Sequence, residues 1–314
     1  MKNFYRKLRT YLSINFHVNL SDDKKDLYIY DKLNYYYKVL NKNQNNSKKR
    51  THLILINKIS NLIKKKQLSN FLRDLYLQKI FFIHNRFFLF AYLLNLIFCK
   101  KWNFWKKLLT ENNIGNPLRF FFFNFTSGNK IFQTFHIKFF ANIINKSLTD
   151  FDFILEFGGG YGNMAQTFNK INKNTKYVIF DLLEVNLLQY YYLKRNGINV
   201  SINKDNKSNV ILVNSLIVLK KILLKYQSKK KSLLIANWSI SETPLKFRSK
   251  FSFIYDFFYY QFITYQKSFE GIDNLTYFKK SVIDNYKNKI FITKKCPLLA
   301  NSFYLISTPS KKIN

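Results

Sequence analysis

Glu156-Phe157-Gly158-Gly159-Gly160-Tyr161-Gly162, set directly after the apolar run Phe153-Ile154-Leu155, joins a short strand to a glycine loop. Positions without side chains let the backbone turn sharply and approach a ligand closely. The segment from Asn163 to Asn169 can start a helix whose free amides point at that ligand. A strand, a glycine turn and a helix in this order form the opening of a doubly wound α/β sheet, with a ligand at the strand's carboxyl end. A dinucleotide pattern needs glycine at its first, third and sixth positions; counted from Gly158, the sixth position is Asn163, so nicotinamide or flavin binding is disfavoured.

The periodicity of the chain carries the α/β reading further. From Phe153 onward, short β-branched or aromatic runs alternate with longer helical stretches, as in a parallel sheet covered on both faces. Strands are predicted near 153 to 157, 177 to 181, 210 to 214, 233 to 238 and 262 to 266. Helices are predicted near 163 to 170, 184 to 196, 216 to 227, 244 to 259 and 275 to 287. Lys289 to Lys294 and Ser302 to Ser307, joined by a turn containing Pro297, read as a C-terminal antiparallel hairpin. Upstream, residues 1 to about 110 carry helix-like apolar spacing, as at Leu68, Phe71, Leu72, Leu75 and Tyr76, with no motif that names a chemistry. Asn41 to Arg50 is a polar run without apolar period and reads as a loop. Gly115-Asn116-Pro117 breaks the pattern, and a helix from Phe132 to Asn145 leads into the glycine-loop strand. Two regions follow: a helical part over 1–110 and an α/β domain over 111–314.

Composition sets outer limits. The 314 residues, 47% of them hydrophobic, can bury a sizeable core. A net charge of +35 draws nucleic acid or an anionic membrane surface. The joint excess of Lys, Asn, Ile, Phe and Tyr over Gly, Pro and Ala is also what A/T-rich codons produce with no partner involved. Cys99 and Cys296 are too few for a disulfide framework, which points to a reducing interior. Met1 to Arg9 is basic, but the following Ser13, Asn15, His17, Asn19, Asp22 and Asp23 leave no apolar secretory segment, so a cytoplasmic location is expected. The apolar piece Phe87 to Leu94 falls far short of the roughly 20 residues that span a bilayer.

An acid two residues before Gly-x-Gly-x-Gly resembles the first motif of the class I S-adenosylmethionine-dependent methyltransferases. Tyr177-Val178-Ile179-Phe180 reads as the next strand and ends in Asp181, nineteen residues after Gly162, where an acid can hold ribose hydroxyls. The block Ile179-Phe180-Asp181-Leu182-Leu183-Glu184, with Leu188-Gln189-Tyr190-Tyr191-Tyr192-Leu193 and Asn196-Gly197, resembles bacterial proteins described as sugar O-methyltransferases. Ile235-Ala236-Asn237-Trp238-Ser239-Ile240-Ser241-Glu242-Thr243-Pro244 is similar to that family's Trp-Ser-x-Ser-Glu segment after the fourth strand, and Gly115-Asn116-Pro117 is similar to its opening motif. Leu182-Leu183 departs from the family's Leu-Pro after the second acid. The resemblance covers about residues 115 to 307.

The resemblance implies a Rossmann-like class I methyltransferase sheet of five parallel strands closed by an antiparallel pair, with S-adenosylmethionine as cofactor. It assigns Glu156, Gly158, Gly160 and Gly162 to the methionine end and Asp181 to the ribose. Tyr161 either contacts the cofactor or packs against the sheet edge. A sugar hydroxyl needs its proton removed as the new bond forms. Glu242 is the first candidate for that base, with Ser239 and Ser241 orienting it or the substrate; the competing reading makes this segment a helix cap. His136 is the second candidate, against an ordinary packed histidine. Glu270 and Asp273 are candidates for binding sugar hydroxyls or, with Glu242, an oxygen-ligated Mg²⁺, although no spacing identifies a metal site. The implied partner is a sugar or glycan acceptor in surface-glycan synthesis.

Two other functions stay open. A nucleic-acid methyltransferase fits the charge, but Ala236-Asn237-Trp238-Ser239 lacks the proline pair of amino-group base methylation, and no Pro-Cys nucleophile is present. A noncatalytic protein of the same fold, docked peripherally on an anionic membrane by its basic helices, is the third reading.

Overall fold

The computed structural model describes residues 20–41, 50–81, 85–121, 123–226 and 231–310. The basic N-terminus and the interior of the Asn41 to Arg50 run lie outside these. The chain divides into two compact units, 1–134 and 135–314.

The first unit is helical, as its spacing predicts. It contains α1 (Lys24–Asn41), α2 (Arg50–Lys64), a 3₁₀ turn (Leu68–Arg73), α3 (Leu75–Ile80), α4 (Leu89–Ile97) and α5 (Trp102–Leu109). Asp74 caps α3 by accepting from Tyr76 N and Leu77 N, which satisfies two of the helix's free amides. Tyr30, Leu33, Ile59, Phe71 and Leu72 form the buried interior, and the Tyr30 hydroxyl accepts from Leu68 N at 2.6 Å. Helix α4 is nine residues long, and among the described residues no helix is long and apolar enough to cross a membrane.

The division between units falls later than residue 110 because 111–127 is bonded back to the helices. Leu72 N donates to Gly115 O at 2.9 Å, and Arg73 Nε donates to Asn116 O at 2.8 Å. Gly115 lies at φ +76°, where a Cβ would come 2.3 Å from the Phe71 ring, so no other residue fits this turn. A short antiparallel pair, β1 (Arg119–Phe120) and β2 (Phe123–Ser127), follows. Helix α6 (Gly128–Ile144) then carries the chain into the second unit.

The second unit is built on one eight-stranded sheet. In chain order its strands are β3 (Phe153–Phe157), β4 (Lys176–Phe180), β5 (Val200–Ile202), β6 (Val210–Val213), β7 (Ser232–Asn237), β8 (Tyr260–Gln266), β11 (Lys289–Lys295) and β12 (Ser302–Pro309). Their spatial order is β11-β12-β8-β7-β3-β4-β6-β5. β5, β6, β4, β3, β7 and β8 run parallel, while β12 is antiparallel to both β8 and β11. This is the expected parallel sheet with its C-terminal hairpin, plus one edge strand, β5, that the sequence does not announce. The central strand β3 is buried at every position. Side chains alternate between faces, so burial throughout means both faces are covered. On one face Phe153, Leu155 and Phe157 join a core with Leu219, Phe251, Ile254 and Phe258.

The crossovers are α7 (Asn163–Ile171), α8 (Leu183–Arg195) and α9 (Leu216–Lys225). The helix predicted near 244 to 259 is broken into α10 (Leu245–Phe251) and α11 (Ile254–Phe257). The one predicted near 275 to 287 is shorter, with α12 (Asn274–Phe278) running into a π turn over Lys279–Ile283. A two-stranded pair, β9 (Ser268–Phe269) and β10 (Ile272–Asp273), precedes α12.

Candidate functional site

The parallel strands bring their carboxyl ends to one edge, where an open α/β sheet receives its ligands. β3 ends in the glycine loop, β4 in Asp181 and β7 in the Trp238–Thr243 segment. The loop turns through left-handed conformations at Gly158, Gly160 and Gly162, and Gly162 sits immediately before the first turn of α7. Gly158 N donates to Phe180 O at 2.9 Å, tying the loop to the end of β4. Tyr161 is buried with its ring edge-on to Tyr192 at 4.9 Å, which is the packed alternative of its two readings.

Gly158 is also where two parts of the site meet. A Cβ there would lie 2.4 Å from Ser239 Cβ, and the Ser239 hydroxyl donates to Phe157 O. Gly158→Ala therefore combines a left-handed φ of +72° with a collision. It is expected to cost about 2–4 kcal/mol, read as a lower midpoint in thermal denaturation; an unchanged midpoint would contradict this contact.

Asp181 is linked directly to the loop. Its carboxylate accepts from Leu182 N at 2.8 Å, from Gln189 Nε2 at 3.0 Å and from the Gly159 amide. Gln189 is fully buried in α8, and its amide also donates to Gly160 O at 2.9 Å. One side chain thus braces the acid and the loop together. Gln189 lies inside the block that carries the family resemblance, but nothing in its type or spacing singles it out in the sequence. A carboxylate offers about four acceptor positions, so Asp181 retains room for a hydroxyl donor. Burial raises its pKa to about 7 against these hydrogen bonds.

Glu156 is buried, and its Oε2 accepts from the Tyr177 hydroxyl at 2.9 Å. That oxygen lies 3.1 Å from where a Cβ on Gly159 would be. Burial pushes its carboxyl up to about 8, the Tyr177 bond opposes the shift and the Asp181 charge adds to it. Glu156 thus packs against the loop at Gly159 while bonded to Tyr177.

Beyond β7 the chain turns sharply. Trp238 takes φ +61°, a conformation rare for an aromatic residue and concentrated at functional sites, and its amide donates to Thr264 O at 2.8 Å. Ile240–Glu242 forms a 3₁₀ turn, and α10 starts only after Pro244. Glu242 is therefore not in the first turn of that helix, and the capping alternative is replaced by a separate turn. Glu242 is half-buried. Burial raises its carboxyl to about 7, a hydrogen bond from Gln266 lowers it and the nearby Glu270 raises it.

The two serines support this turn. Ser239 holds the end of β3, as above. Ser241 is fully buried, its hydroxyl 2.5 Å from Trp238 O and 2.8 Å from Gln266 Oε1. Arg248, which nothing in the sequence singles out, closes the same turn from within. Its guanidinium is buried and donates to Ser241 O at 2.6 Å, Thr243 O at 2.9 Å and Asn274 Oδ1 at 2.8 Å. Its ring neighbour is Tyr277, with the guanidinium carbon 4.6 Å from the centroid. A planar fork suits carbonyls on both sides of one residue, and here that residue is Glu242.

Of the three further candidates, His136 and Asp273 are placed differently from expectation, and Glu270 stands beside Glu242 as expected. His136 is fully buried in α6, with Nδ1 bonded to the Tyr304 hydroxyl and its ring edge-on to Trp238 at 5.6 Å. Burial lowers its pKa to about 3, so it is a neutral packed histidine behind the turn, with no exposed edge for an acceptor. Asp273 is exposed and caps α12, accepting from Leu275 N, Thr276 N and the Thr276 hydroxyl. Glu270, in the turn between β9 and β10, stands near enough to Glu242 to raise its pKa. Among the described residues, no three His, Cys, Asp or Glu side chains gather into a metal-binding group.

No family model and no curated protein matches the chain. Solved structures do resemble it at low identity. An rRNA methylase from Streptococcus thermophilus aligns with 55% of this chain and 93% of its own, at 15% identity and a TM-score of 0.39. Human N-acetylserotonin methyltransferase, in complex with S-adenosylmethionine, aligns over 58% and 55% respectively, at 13% identity and a TM-score of 0.33. Coclaurine N-methyltransferase covers 93% of this chain and 79% of its own, at 12% identity and a TM-score of 0.36.

Proposed function

We propose that the protein is an S-adenosylmethionine-dependent O-methyltransferase acting on a sugar hydroxyl in the synthesis of a surface glycan. The observation that carries the cofactor is the coupling of Asp181 to the glycine loop through Gly159 and Gln189. When bound, the cofactor supplies a methyl group on a sulfonium, ready for in-line transfer. The loop over Gly158–Gly162 admits close backbone approach at the methionine end, and the remaining acceptor capacity of Asp181 suits a ribose hydroxyl.

The acceptor side rests on Glu242. A hydroxyl becomes a competent nucleophile as its proton is withdrawn, and a carboxyl titrating near 7 is matched to that task. Gln266 and Arg248 hold the turn that carries Glu242, while Ser239 keeps this turn against the glycine loop. The sugar as acceptor follows from the Trp238–Glu242 segment and its family resemblance.

The test is calorimetric titration of the full chain with S-adenosylmethionine, where one site per chain is expected. Folded protein that gives no binding overturns the proposal. S-adenosylhomocysteine, lacking only the transferable methyl, is expected to bind the same site.

A further inference from the structure

We propose that the cavity under the β11–β12 turn binds the anionic end, a phosphate or carboxylate, of the methyl acceptor. This rests on the reading of Glu242 as the acceptor's base. The cavity is a hollow of about 550 Å³ open to solvent, lined by exposed Lys267 and Lys295, by Leu275, Leu298 and Phe303, and by Asn301. Small-molecule sites fall in the range of about 300–1,000 Å³ and combine apolar walls with a few polar groups.

Its position connects it to the candidate base. Gln266, the last residue of β8, bonds Ser241 and Glu242, and Lys267 is the next residue in the chain. Asn274 donates to Gln266 O at 3.0 Å, and Leu275 follows it into the cavity wall. The backbone that fixes Glu242 therefore also forms one side of the cavity. β8 is the neighbour of β7, so the cavity begins about one strand spacing, ~5 Å, from the strand that leads to Glu242.

Its charge selects the ligand. The two lysines come from separate elements, the end of β8 and the end of β11, and no carboxylate is among the wall residues. Asp273, near enough to Lys267 to feel its charge, is engaged in capping α12. Cys296 also borders the cavity; burial pushes its thiol up to about 12, so it contributes no negative charge at neutral pH. Two cations in a lining that mixes leucines with Asn301 and Ser302 suit a sugar that carries an anion beside the hydroxyl to be methylated. A sugar phosphate, a nucleotide-linked sugar and a uronic acid share this chemistry.

The experiment titrates the full chain with glucose 1-phosphate, UDP-glucose, glucuronate and neutral glucose. It is repeated for Lys267→Glu, Lys295→Glu and the control Lys294→Glu, whose residue is adjacent on β11 but points to the other face. Glucose 1-phosphate is expected to bind about tenfold or more weakly to the first two variants and within about twofold of wild type in the control. The three anionic probes identify the source of the anion by their order of affinity, and glucose is expected to bind weakest. Equal loss in all three variants would mean that bulk charge alone acts, and no anion binding by wild type up to about 10 mM would also overturn the proposal. S-adenosylmethionine affinity separates the two readings. If it is absent while the lysine dependence holds, the anion site stands and methyl transfer falls; if it is present without lysine dependence, the cavity proposal alone falls.

Discussion

Glu242→Gln is expected to lower methyl transfer about 10²–10⁴-fold, the span that a positioned base supplies, while cofactor affinity stays within about twofold. Glutamine preserves the shape of the side chain, so the bonds of Arg248 to Ser241 O and Thr243 O, which do not involve the carboxyl, are retained. Burial holds the wild-type carboxyl up to about 7. Transfer by the wild type should therefore rise as pH increases through 7, as the base loses its proton, and level off above it. With S-adenosylmethionine saturating, so that the titration of Asp181 does not enter the rate, the variant lacks this limb. Transfer of isotopically labelled methyl to the best-binding anionic sugar, followed from pH 5.5 to 9, measures both effects. An unchanged rate with an unchanged pH profile would remove Glu242 from the reaction.

Asp181→Ala should weaken S-adenosylmethionine binding by roughly 10²-fold, since hydrogen bonds to a charged group contribute about 1.5–3 kcal/mol and the brace to Gly159 and Gln189 is lost as well. Asp181→Asn, which keeps the shape and part of the brace, should lose less. The pH dependence has a defined sign. Burial raises the free protein's Asp181 to about 7, and a ribose hydroxyl donating to the carboxylate favours its charged form. Binding below that pH therefore releases a proton, and affinity should rise by up to about tenfold per unit as pH approaches 7. For stability of the free protein the sign is opposite. A carboxyl raised on folding contributes fully below its unfolded pKa, and that contribution is lost as pH rises through about 7. Calorimetry at pH 6 and 8 in buffers of different protonation heat reads the proton release directly. Affinity independent of Asp181 would place the ribose elsewhere.

The sheet was legible because its strands are continuous apolar runs separated by helical spacing. Seven of its eight strands fall where β-branched and aromatic runs predict them. β5 escapes because three residues with Ser201 at the centre carry no such signal. The break between α10 and α11 contains neither glycine nor proline, so no sequence punctuation reveals it. The loop, Asp181 and the Glu242 turn were legible because glycine spacing and acids at strand ends have direct chemical meaning. Their supports were not: Gln189 and Arg248 act through contacts between residues that nothing in the sequence pairs. His136 and Asp273 show the converse. Each has the right side-chain chemistry, and burial in one case and a helix cap in the other determine its use.

Through its two hydrogen bonds the Gln189 amide ties the glycine loop and Asp181 into one mechanical unit. Its nitrogen reaches Gly160 O and Asp181 Oδ2 at once, and polar groups sharing one buried partner do not respond independently. A displacement of the loop is felt at the acid, and a proton gained by the acid is felt at the loop. On the proposed assignment of the loop to one end of the cofactor and Asp181 to the other, a molecule that matches only one end is expected to forfeit part of the binding at that end as well.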